Sequence, residues 1–533
     1  MADPPHYETS EFYQPGLIST VGMQAFVIVL ILVVFILLII GARYTLRRSR
    51  GLSPGMRTFL RVLGGLARPA APVSFRRSRR DKAGSRRKTE DHYRIRPAAA
   101  EPERDAGSGA DHPPEGPPVA MASTVPERIE RSAPRKRLVR EVAQLPEEAW
   151  PFYGEDEIAA VVAVLSSGKV NQWTGSKVFE FEKAYTRYLR NGRAIALANG
   201  SVALELALRA FGIGPGDEVI VTPRSFVASA FCVRLVGATP VFADVDADSG
   251  NMTAPSVEAV TTPRTKAIIP VHLGGWPSDM PQIMAFAKSR DILVIEDCAQ
   301  AHGAEIDGLP VGSFGDAACF SFCQDKIITT AGEGGLVTFR DDAAFEFAWS
   351  FKDHGKDRRR AFERPAAPGF RWLHDRVGTN WRMTEVAAAI GLIQMDKVPQ
   401  WRSRRTRNAE TWAEAIDPIR GIRAPRPPQH MTGAYYKFYA YLDVNPADNA
   451  ALRDRILHEA GAAGIRLFSG SCSEIYREAA FADMEVAPLP VARALGESSL
   501  MFEVHPTLDP RRLRDRADAV ADIIRNVLGA GSL

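Results

Sequence analysis

Short apolar runs alternate with helical patterns between about residue 194 and residue 339. Each run is three to five residues long, which suits a strand of a sheet and is too short for a helix. The predicted strands are Ala194–Ala198, Glu218–Thr222, Thr239–Ala243, Ala267–Val271, Leu293–Ile295, Ala318–Phe322 and Leu336–Phe339. Predicted helices between them include Ala203–Phe211, Ala228–Leu235, Ser256–Thr261 and Met280–Lys288. This order predicts an α/β domain with a mixed, mostly parallel sheet and helices on both faces.

Polar residues follow the end of the first predicted strand. In parallel sheets, ligands bind outside the carboxyl ends of the strands. The segment Asn199-Gly200-Ser201-Val202 opens a helix there, with Ser201 as its predicted N-cap. The free N–H groups of such a first turn favour an anion, typically phosphate. An ordinary capped helix has the same pattern, so this motif alone does not establish a site.

A carboxylate and a lysine follow two further strands. Asp297 comes at the end of a buried run and needs a partner. A protonated ring nitrogen would serve, and so would a helix cap or a structural ion pair. Lys326 lies just past Phe322 on a glycine-rich segment, where partial desolvation would make its amine a nucleophile toward carbonyls; a solvated surface lysine is the alternative. Together with the helix start, these are the groups that pyridoxal phosphate requires.

Seven ordered blocks then carry a resemblance to a known family. They are Val170–Gly175, Asn199–Leu204, Pro223–Phe226, Val271–Leu273, Glu296–Ala304, Ser321–Gly335 and Gly378–Met383. In these blocks the chain resembles the DegT/DnrJ/EryC1/StrS family of sugar aminotransferases, which have the fold type I architecture of pyridoxal phosphate enzymes, as in aspartate aminotransferase. The resemblance runs from about Trp150 to the C-terminus and leaves the first quarter uncovered.

The resemblance implies roles at the cofactor ring. Lys326 would form the Schiff base with pyridoxal 5'-phosphate and move protons between substrate and cofactor carbons. Asp297 would bind the pyridine nitrogen, and Gln300 would lie near the ring hydroxyl. Phe226 matches the aromatic residue that stacks on the ring.

It also implies how the cofactor phosphate is held. Gly200, Ser201, Val202 and Ser321 would bind it within one subunit. Asn380 matches an asparagine that reaches the phosphate of the neighbouring subunit, which implies a homodimer with shared active sites. The resemblance assigns no role to Cys323 or His354 and implies no metal.

The implied activity is transfer of an amino group from glutamate or glutamine to a keto group of a nucleotide-linked sugar, in polysaccharide or glycan synthesis. Related sugar dehydratases carry histidine in place of the lysine, so Lys326 favours transamination. Two other functions stay open: a membrane-anchored regulatory or scaffold protein on this fold, and a pyridoxal phosphate enzyme acting on a non-sugar ketone.

Val21 to Ala42 is almost wholly apolar, which predicts a transmembrane helix of roughly 33 Å. A buried core helix and a cleaved signal peptide are the alternatives, but no basic segment precedes the run. Arg43, Arg47 and Arg48 follow directly, so the positive-inside rule places the N-terminus outside and the rest in the cytoplasm. The expected location is the inner or plasma membrane, crossed once.

The segment 43–145 is rich in Arg, Pro, Ala and Ser and predicts a basic, largely disordered linker. Next to a membrane helix its arginines favour lipid headgroups over specific nucleic acid. Five cysteines without metal-ligand spacing fit a reducing compartment. The predicted organisation is therefore a tail at 1–20, a membrane helix at 21–42, this linker, a cofactor-binding domain at 146–396 and a small C-terminal α/β domain at 397–533.

Overall fold

A computed structural model describes residues 148–190, 192–363 and 369–530. The predicted tail, transmembrane helix and basic linker lie outside the described residues. Among the helices that are described, none combines the length and the apolar character needed to cross a bilayer.

The described chain contains helices and strands in alternation. The α-helices are α1 (Glu155–Ser167), α2 (Lys177–Leu189), α3 (Gly200–Ala210), α4 (Ala228–Leu235), α5 (Ala254–Glu258), α6 (Met280–Ser289), α7 (Asp342–Lys352), α8 (Arg358–Phe362), α9 (Glu385–Ile416), α10 (Pro446–Ala462), α11 (Pro490–Ser498) and α12 (Pro510–Ala530). The strands are β1 (Arg193–Leu197), β2 (Glu218–Val221), β3 (Thr239–Phe242), β4 (Thr265–Ile269), β5 (Leu293–Asp297), β6 (Glu305–Ile306), β7 (Leu309–Pro310), β8 (Ala317–Ser321), β9 (Gly335–Phe339), β10 (Ile422–Arg423), β11 (Met431–Thr432), β12 (Phe438–Leu442) and β13 (Ser499–Phe502).

All seven predicted strands pair into one seven-stranded sheet, in the order β1-β9-β8-β5-β4-β2-β3. The pairs β8–β5, β5–β4, β4–β2 and β2–β3 are parallel, whereas β9 runs antiparallel to both of its neighbours. The prediction of a mixed, mostly parallel sheet is therefore confirmed. Every residue of β2, β8 and β9 is buried, as expected for strands covered on both faces.

The C-terminal residues form a second sheet, β10-β12-β13, which is antiparallel. Together with helices α10 and α12 and the end of α9 it encloses its own apolar core. The strand predicted at Ala434–Leu442 begins only at Phe438. The predicted domain boundary between residues 396 and 397 falls inside α9, and the division into a larger and a smaller domain stays a prediction.

Helix α9 was not predicted, although at 32 residues it is a long element. Its first residue, Glu385, accepts hydrogen bonds from the backbone N–H groups of Lys177 and Val178. Further along, the Gln394 side chain accepts from the Thr329 N–H at 2.9 Å. Arg405 then donates to two backbone carbonyls in the segment before β12. The helix thus ties the lysine segment to the C-terminal part of the chain.

Candidate active site

The ends of β1 and β8 meet at one edge of the main sheet, because Leu197 and Ser321 both pair with Gly335. Helix α3 starts directly after β1. A Cβ atom on Gly200 would lie 2.7 Å from the Cβ of Ser321, closer than two such carbons can approach. The glycine therefore lets the first turn of α3, which carries Ser201, pack against the end of β8.

The N-cap of α3 is Asn199, so the prediction of Ser201 as the N-cap is wrong. Asn199 has extended backbone angles, and its Oδ1 accepts from the Val202 N–H at 3.0 Å. An N-cap must be non-helical, whereas Ser201 already lies within the helix. The Val202 N–H, predicted to bind phosphate, is thus already paired. The exposed Ser201 keeps its predicted role as a hydroxyl ligand.

Asp297 is buried at the end of β5. Its Oδ2 accepts from the Ser229 hydroxyl at 2.8 Å, and its Oδ1 accepts from the Ala299 N–H at 3.1 Å. Ser229 in turn lies 3.1 Å from the Ser225 hydroxyl. Burial raises the pKa of Asp297, and these hydrogen bonds and the charge of Lys326 only partly oppose the rise. A cation facing this carboxylate would stabilise its ionised form.

Gln300 is buried one turn after Asp297. Its side-chain oxygen accepts from the Gly274 N–H at 2.8 Å. Since the oxygen is used in this way, the group that it can offer to a ligand is its NH₂, a donor. A donor suits the ring hydroxyl predicted to lie there.

Lys326 is only 16% exposed at its side chain, and it lies between two polar partners. Its Nζ is 3.2 Å from the Tyr436 hydroxyl and 3.3 Å from Asp325 Oδ1. The Tyr436 hydroxyl also donates to Asp325 Oδ2. Burial pushes the pKa of Asp325 upward, but Lys326 and Tyr436 outweigh it and the pKa is lowered. Sequence reasoning missed both partners; Asp325 could have been found from its position beside the lysine.

Two predicted residues remain apart from this cluster. Phe226 is 64% exposed, so its ring is accessible to a ligand. Asn380 is exposed, and its Oδ1 accepts from the Arg382 N–H at 3.4 Å. Its neighbour Trp381 accepts from the Ala198 N–H beside β1. Within the described part of the chain, Asn380 makes no hydrogen bond to Lys326 of the same subunit.

A buried histidine, His302, holds the end of β8 in place through a hydrogen bond. The carbonyl of Ser321 accepts a hydrogen bond from His302 Nε2 at 2.8 Å. The other ring nitrogen, Nδ1, therefore accepts from the Tyr185 hydroxyl at 2.9 Å. Burial lowers the pKa of His302 to about 4, so the neutral ring persists at neutral pH. This support was also missed, although His302 belongs to the block that begins at Glu296.

Cys323 and His354 have no contact that gives them a chemical role. Burial raises the pKa of the Cys323 thiol, the opposite of what an activated thiolate needs. His354 has a positive φ of 61° and donates its N–H to the Thr379 carbonyl. Its position is therefore explained by the turn that it forms.

His272, Glu296 and Cys298 lie within 4.8 Å of one another and are buried. Glu296 already accepts from three backbone N–H groups, those of Gly312, Phe314 and Gly315, at 2.7–2.8 Å. His272 Nδ1 accepts from a backbone N–H, which directs its Nε2 hydrogen to Glu296. These hydrogen bonds show that the cluster has a structural role, because they hold the loop at residues 312–315 and His272 against β5.

Known proteins resemble the chain over this whole region. The family model described as the DegT/DnrJ/EryC1/StrS aminotransferase family matches residues 151–524. The chain belongs to this family. It is 38% identical over 348 residues to GDP-perosamine synthase of Caulobacter vibrioides, covering 65% of this chain and 90% of that protein.

Two further comparisons agree with the family. UDP-N-acetyl-3-dehydro-α-D-glucosamine 3-aminotransferase of Acidithiobacillus ferrooxidans is 37% identical over 340 residues, 63% of this chain and 84% of that protein. The crystal structure of an aminotransferase from Psychrobacter cryohalolentis has 46% identity and a TM-score of 0.69, covering 72% of this chain and all of that one. The chain is thus a pyridoxal phosphate-dependent aminotransferase, as the sequence predicted.

The residues present fit pyridoxal 5'-phosphate, the cofactor of this enzyme. The amine of Lys326 is held close to the sheet edge where Asp297 ends β5. Any side chain larger than that of glycine at position 200 would overlap Ser321. Asp297 is a buried carboxylate that gains from a cationic partner such as a protonated pyridine nitrogen. The assignment of single residues to single cofactor atoms stays a prediction.

Proposed function

We propose that the enzyme transfers an amino group from glutamate or glutamine to a keto group of a nucleotide-linked sugar, in the synthesis of a polysaccharide or glycan. The observation that best supports this function is the environment of Lys326. Its amine lies at hydrogen-bond distance from Asp325 and Tyr436, at the same edge of the sheet as the buried carboxylate of Asp297. The names of the two relatives support the substrate class, since one name contains GDP and the other contains UDP.

Each polar residue has a task in this reaction. Pyridoxal phosphate, when bound, supplies the electron sink that makes a carbon–hydrogen bond beside the transferred nitrogen acidic. Lys326 Nζ removes that proton from one carbon and returns it to another. Tyr436 and Asp325 orient the amine between these transfers. Asp297, as a carboxylate, would keep a proton on the pyridine nitrogen, and the exposed ring of Phe226 would cover one face of the cofactor.

Two measurements test this function. The purified protein is expected to show the visible absorbance of the bound cofactor, and Lys326→Ala is expected to abolish that band. Amino transfer from glutamate is then measured on a panel of keto-sugar nucleotides that carry GDP or UDP. A wild-type protein that binds no pyridoxal phosphate would overturn the proposal, and transfer to simple ketones but no nucleotide sugar would overturn its substrate class.

The active unit in this proposal is a homodimer in which Asn380 binds the cofactor phosphate of the partner subunit. The exposed position of Asn380 supports it, as do two exposed aromatic side chains on the same loop, Phe370 and Trp372, at 78% and 81% exposure. Large exposed aromatic rings are typical of surfaces that a partner covers. Mixing inactive Lys326→Ala and Asn380→Ala subunits should restore roughly a quarter of the wild-type activity, because half of the random dimers then carry one intact site.

The proposal also places the enzyme at the inner or plasma membrane, anchored by the helix predicted at 21–42, with the catalytic residues in the cytoplasm. Its support is the apolar run with arginines directly after it. The full chain should remain in washed membranes at high salt, whereas a chain that starts at residue 146 should be released. Equal release of both chains would refute the anchor.

A further inference from the structure

Arg224 carries a buried charge without a counterion among the residues that the structure describes. It follows β2 and is 0% exposed. Its three side-chain nitrogens, Nε, Nη1 and Nη2, make no hydrogen bond of good geometry to any residue that the structure describes, although the guanidinium lies near the neutral Tyr441 hydroxyl. Arg224 is likewise absent from the ion pairs between described residues. Removing a guanidinium from water without a partner is strongly unfavourable.

Other buried cations of the described chain differ from Arg224 in this respect. Arg405 donates through Nη1 to the carbonyls of Tyr435 and Tyr436 at 3.3 Å each, although its Nε and Nη2 have no partner among the described residues. Lys352 donates to the Gln172 side chain at 2.8 Å. The fold therefore provides acceptors for structural cations in its interior, and the lack of one at Arg224 requires its own explanation.

The surroundings of Arg224 are aromatic. Its Cζ lies 5.4 Å from the ring centre of Tyr439 and 5.7 Å from that of Tyr441. Burial raises the pKa of Tyr441, and the guanidinium opposes that rise. Two neutral rings attract a cation, but they return only part of the hydration that it loses. A full negative charge is still missing.

Arg224 lies between the catalytic edge of the sheet and a cleft. On one side, the next residue, Ser225, is linked through Ser229 to Asp297. On the other side, the two tyrosines that face the guanidinium line a cleft. An anionic group of a bound substrate could therefore lie between the cleft and the cofactor.

A short segment covers this position. The carbonyl of Cys472 accepts from the Ser225 N–H at 3.1 Å. The Ser471 N–H donates to the Tyr439 hydroxyl over 3.3 Å, a long hydrogen bond. Gly470 has a φ of 100°, which favours glycine and allows the chain to turn there. We call residues 470–473 the covering segment.

We propose that Arg224 binds an anionic group of a substrate, either a carboxylate of the amino donor or a phosphate of the nucleotide sugar, when the covering segment moves aside. The bound anion supplies the missing counterion. The inference rests on the proposed function, because that function brings both kinds of anion to this edge of the sheet.

The first test is stability without substrate. Arg224→Met keeps much of the side-chain volume and removes the uncompensated charge, so the holoenzyme variant should have a higher Tm than wild type. Arg405→Met, which removes a buried cation that has acceptors, should lower the Tm and serves as the matched control. A lower Tm for Arg224→Met as well would overturn the inference, since Arg224 would then be a structural cation.

The second test is binding. The Tm of each protein is measured with L-glutamate and with inorganic pyrophosphate as probes. At least one probe should raise the Tm of wild type and of Arg224→Lys while leaving Arg224→Met unchanged. Equal shifts in all three proteins would overturn the inference. This measurement needs no nucleotide sugar, so it decides about Arg224 even if the nucleotide-sugar activity is not found.

The third test separates the two sources of the anion. Conversion of the cofactor absorbance is titrated with glutamate, with glutamine and with the α-amide of glutamate, and the reverse conversion with the nucleotide sugar. Arg224→Met should weaken one half-reaction roughly 30-fold or more, as expected for truncating one member of a buried charge pair. Loss only with donors that carry the relevant carboxylate identifies the donor, and loss only with the nucleotide identifies the phosphate. Normal transfer in both half-reactions overturns the inference and leaves the proposed function intact.

Discussion

Replacing Gly200 with alanine tests whether the contact between α3 and β8 forms the phosphate site. The added Cβ would lie 2.7 Å from the Ser321 Cβ and 3.2 Å from both its Cα and its Oγ. Ser321 cannot move away easily, because it is paired with Gly335 at the end of β8 and its carbonyl is held by His302. The first turn of α3 must therefore shift.

The size of the effect follows from this overlap. Inserting a methyl group into a well-packed contact costs about 1–3 kcal/mol. If the shift separates the cofactor ligands, that cost appears as a loss of cofactor affinity of roughly 5- to 150-fold. If the cofactor ligands on α3 and β8 keep their relative positions, the cost appears instead as a lower free energy of unfolding.

Two measurements show how much of the cost appears as lost cofactor affinity and how much as a lower free energy of unfolding. Apoenzyme is titrated with pyridoxal phosphate to obtain a Kd, and urea unfolding of the apoenzyme gives the free energy of unfolding. Gly461→Ala is the matched control, since no atom lies within 4 Å of its added Cβ and alanine in a helix gains up to about 1 kcal/mol over glycine. The double variant Gly200→Ala/Ser321→Gly removes the overlapping carbon and should recover the stability lost by Gly200→Ala.

The reasoning fails if Gly200→Ala binds the cofactor and unfolds like wild type. It also fails if Gly461→Ala loses as much affinity, because the effect would then not be local. Loss of stability that the double variant does not recover would show that the overlap with Ser321 is not its cause.

Three other changes have expected results. Lys326→Ala should reduce amino transfer by roughly 100- to 10,000-fold, the range of general acid–base catalysis, while circular dichroism shows the wild-type fold. Tyr436→Phe removes the hydroxyl that is hydrogen-bonded to both Lys326 Nζ and Asp325, so amino transfer should fall roughly tenfold, while Tyr435→Phe stays near wild type; equal effects would contradict the assignment. Burial lowers the pKa of the His302 ring from its ordinary value of 6.5 to about 4, so between these pH values the unfolded chain binds a proton that the folded chain does not. Acidification from pH 6.5 to 4 should cost wild type about 3 kcal/mol more than His302→Gln in urea unfolding, and parallel pH curves would refute this.

The main sheet was predictable from the sequence because its strands are buried on both faces. Runs such as Ala318–Phe322 are apolar throughout, and polar residues appear only where the strands end. That pattern placed Asp297 and Lys326 at one edge of the sheet. The cap of α3 was assigned wrongly because Asn199 and Ser201 are both good capping residues, and only the backbone angles distinguish them.

The missed features depend on contacts between distant parts of the chain. Tyr436 lies 110 residues after Lys326, and no local pattern connects a tyrosine to a lysine over that distance. Arg224 was part of a recognised block, but its lack of a counterion is a property of everything that surrounds it. Helix α9 was missed since Pro399 and a basic stretch interrupt its apolar pattern.

Helix α9 also fixes the relative orientation of two segments of the lysine site, the one after Lys326 and the one at Tyr436. Gln394 holds the segment after Lys326, and Arg405 holds the backbone at Tyr436. The two positions are 11 residues apart in the sequence, which is about three turns, so both side chains leave the same side of the helix. One residue inserted between them would rotate one anchor by about 100° relative to the other. We therefore expect the length of this interval to tolerate less change than its side chains do.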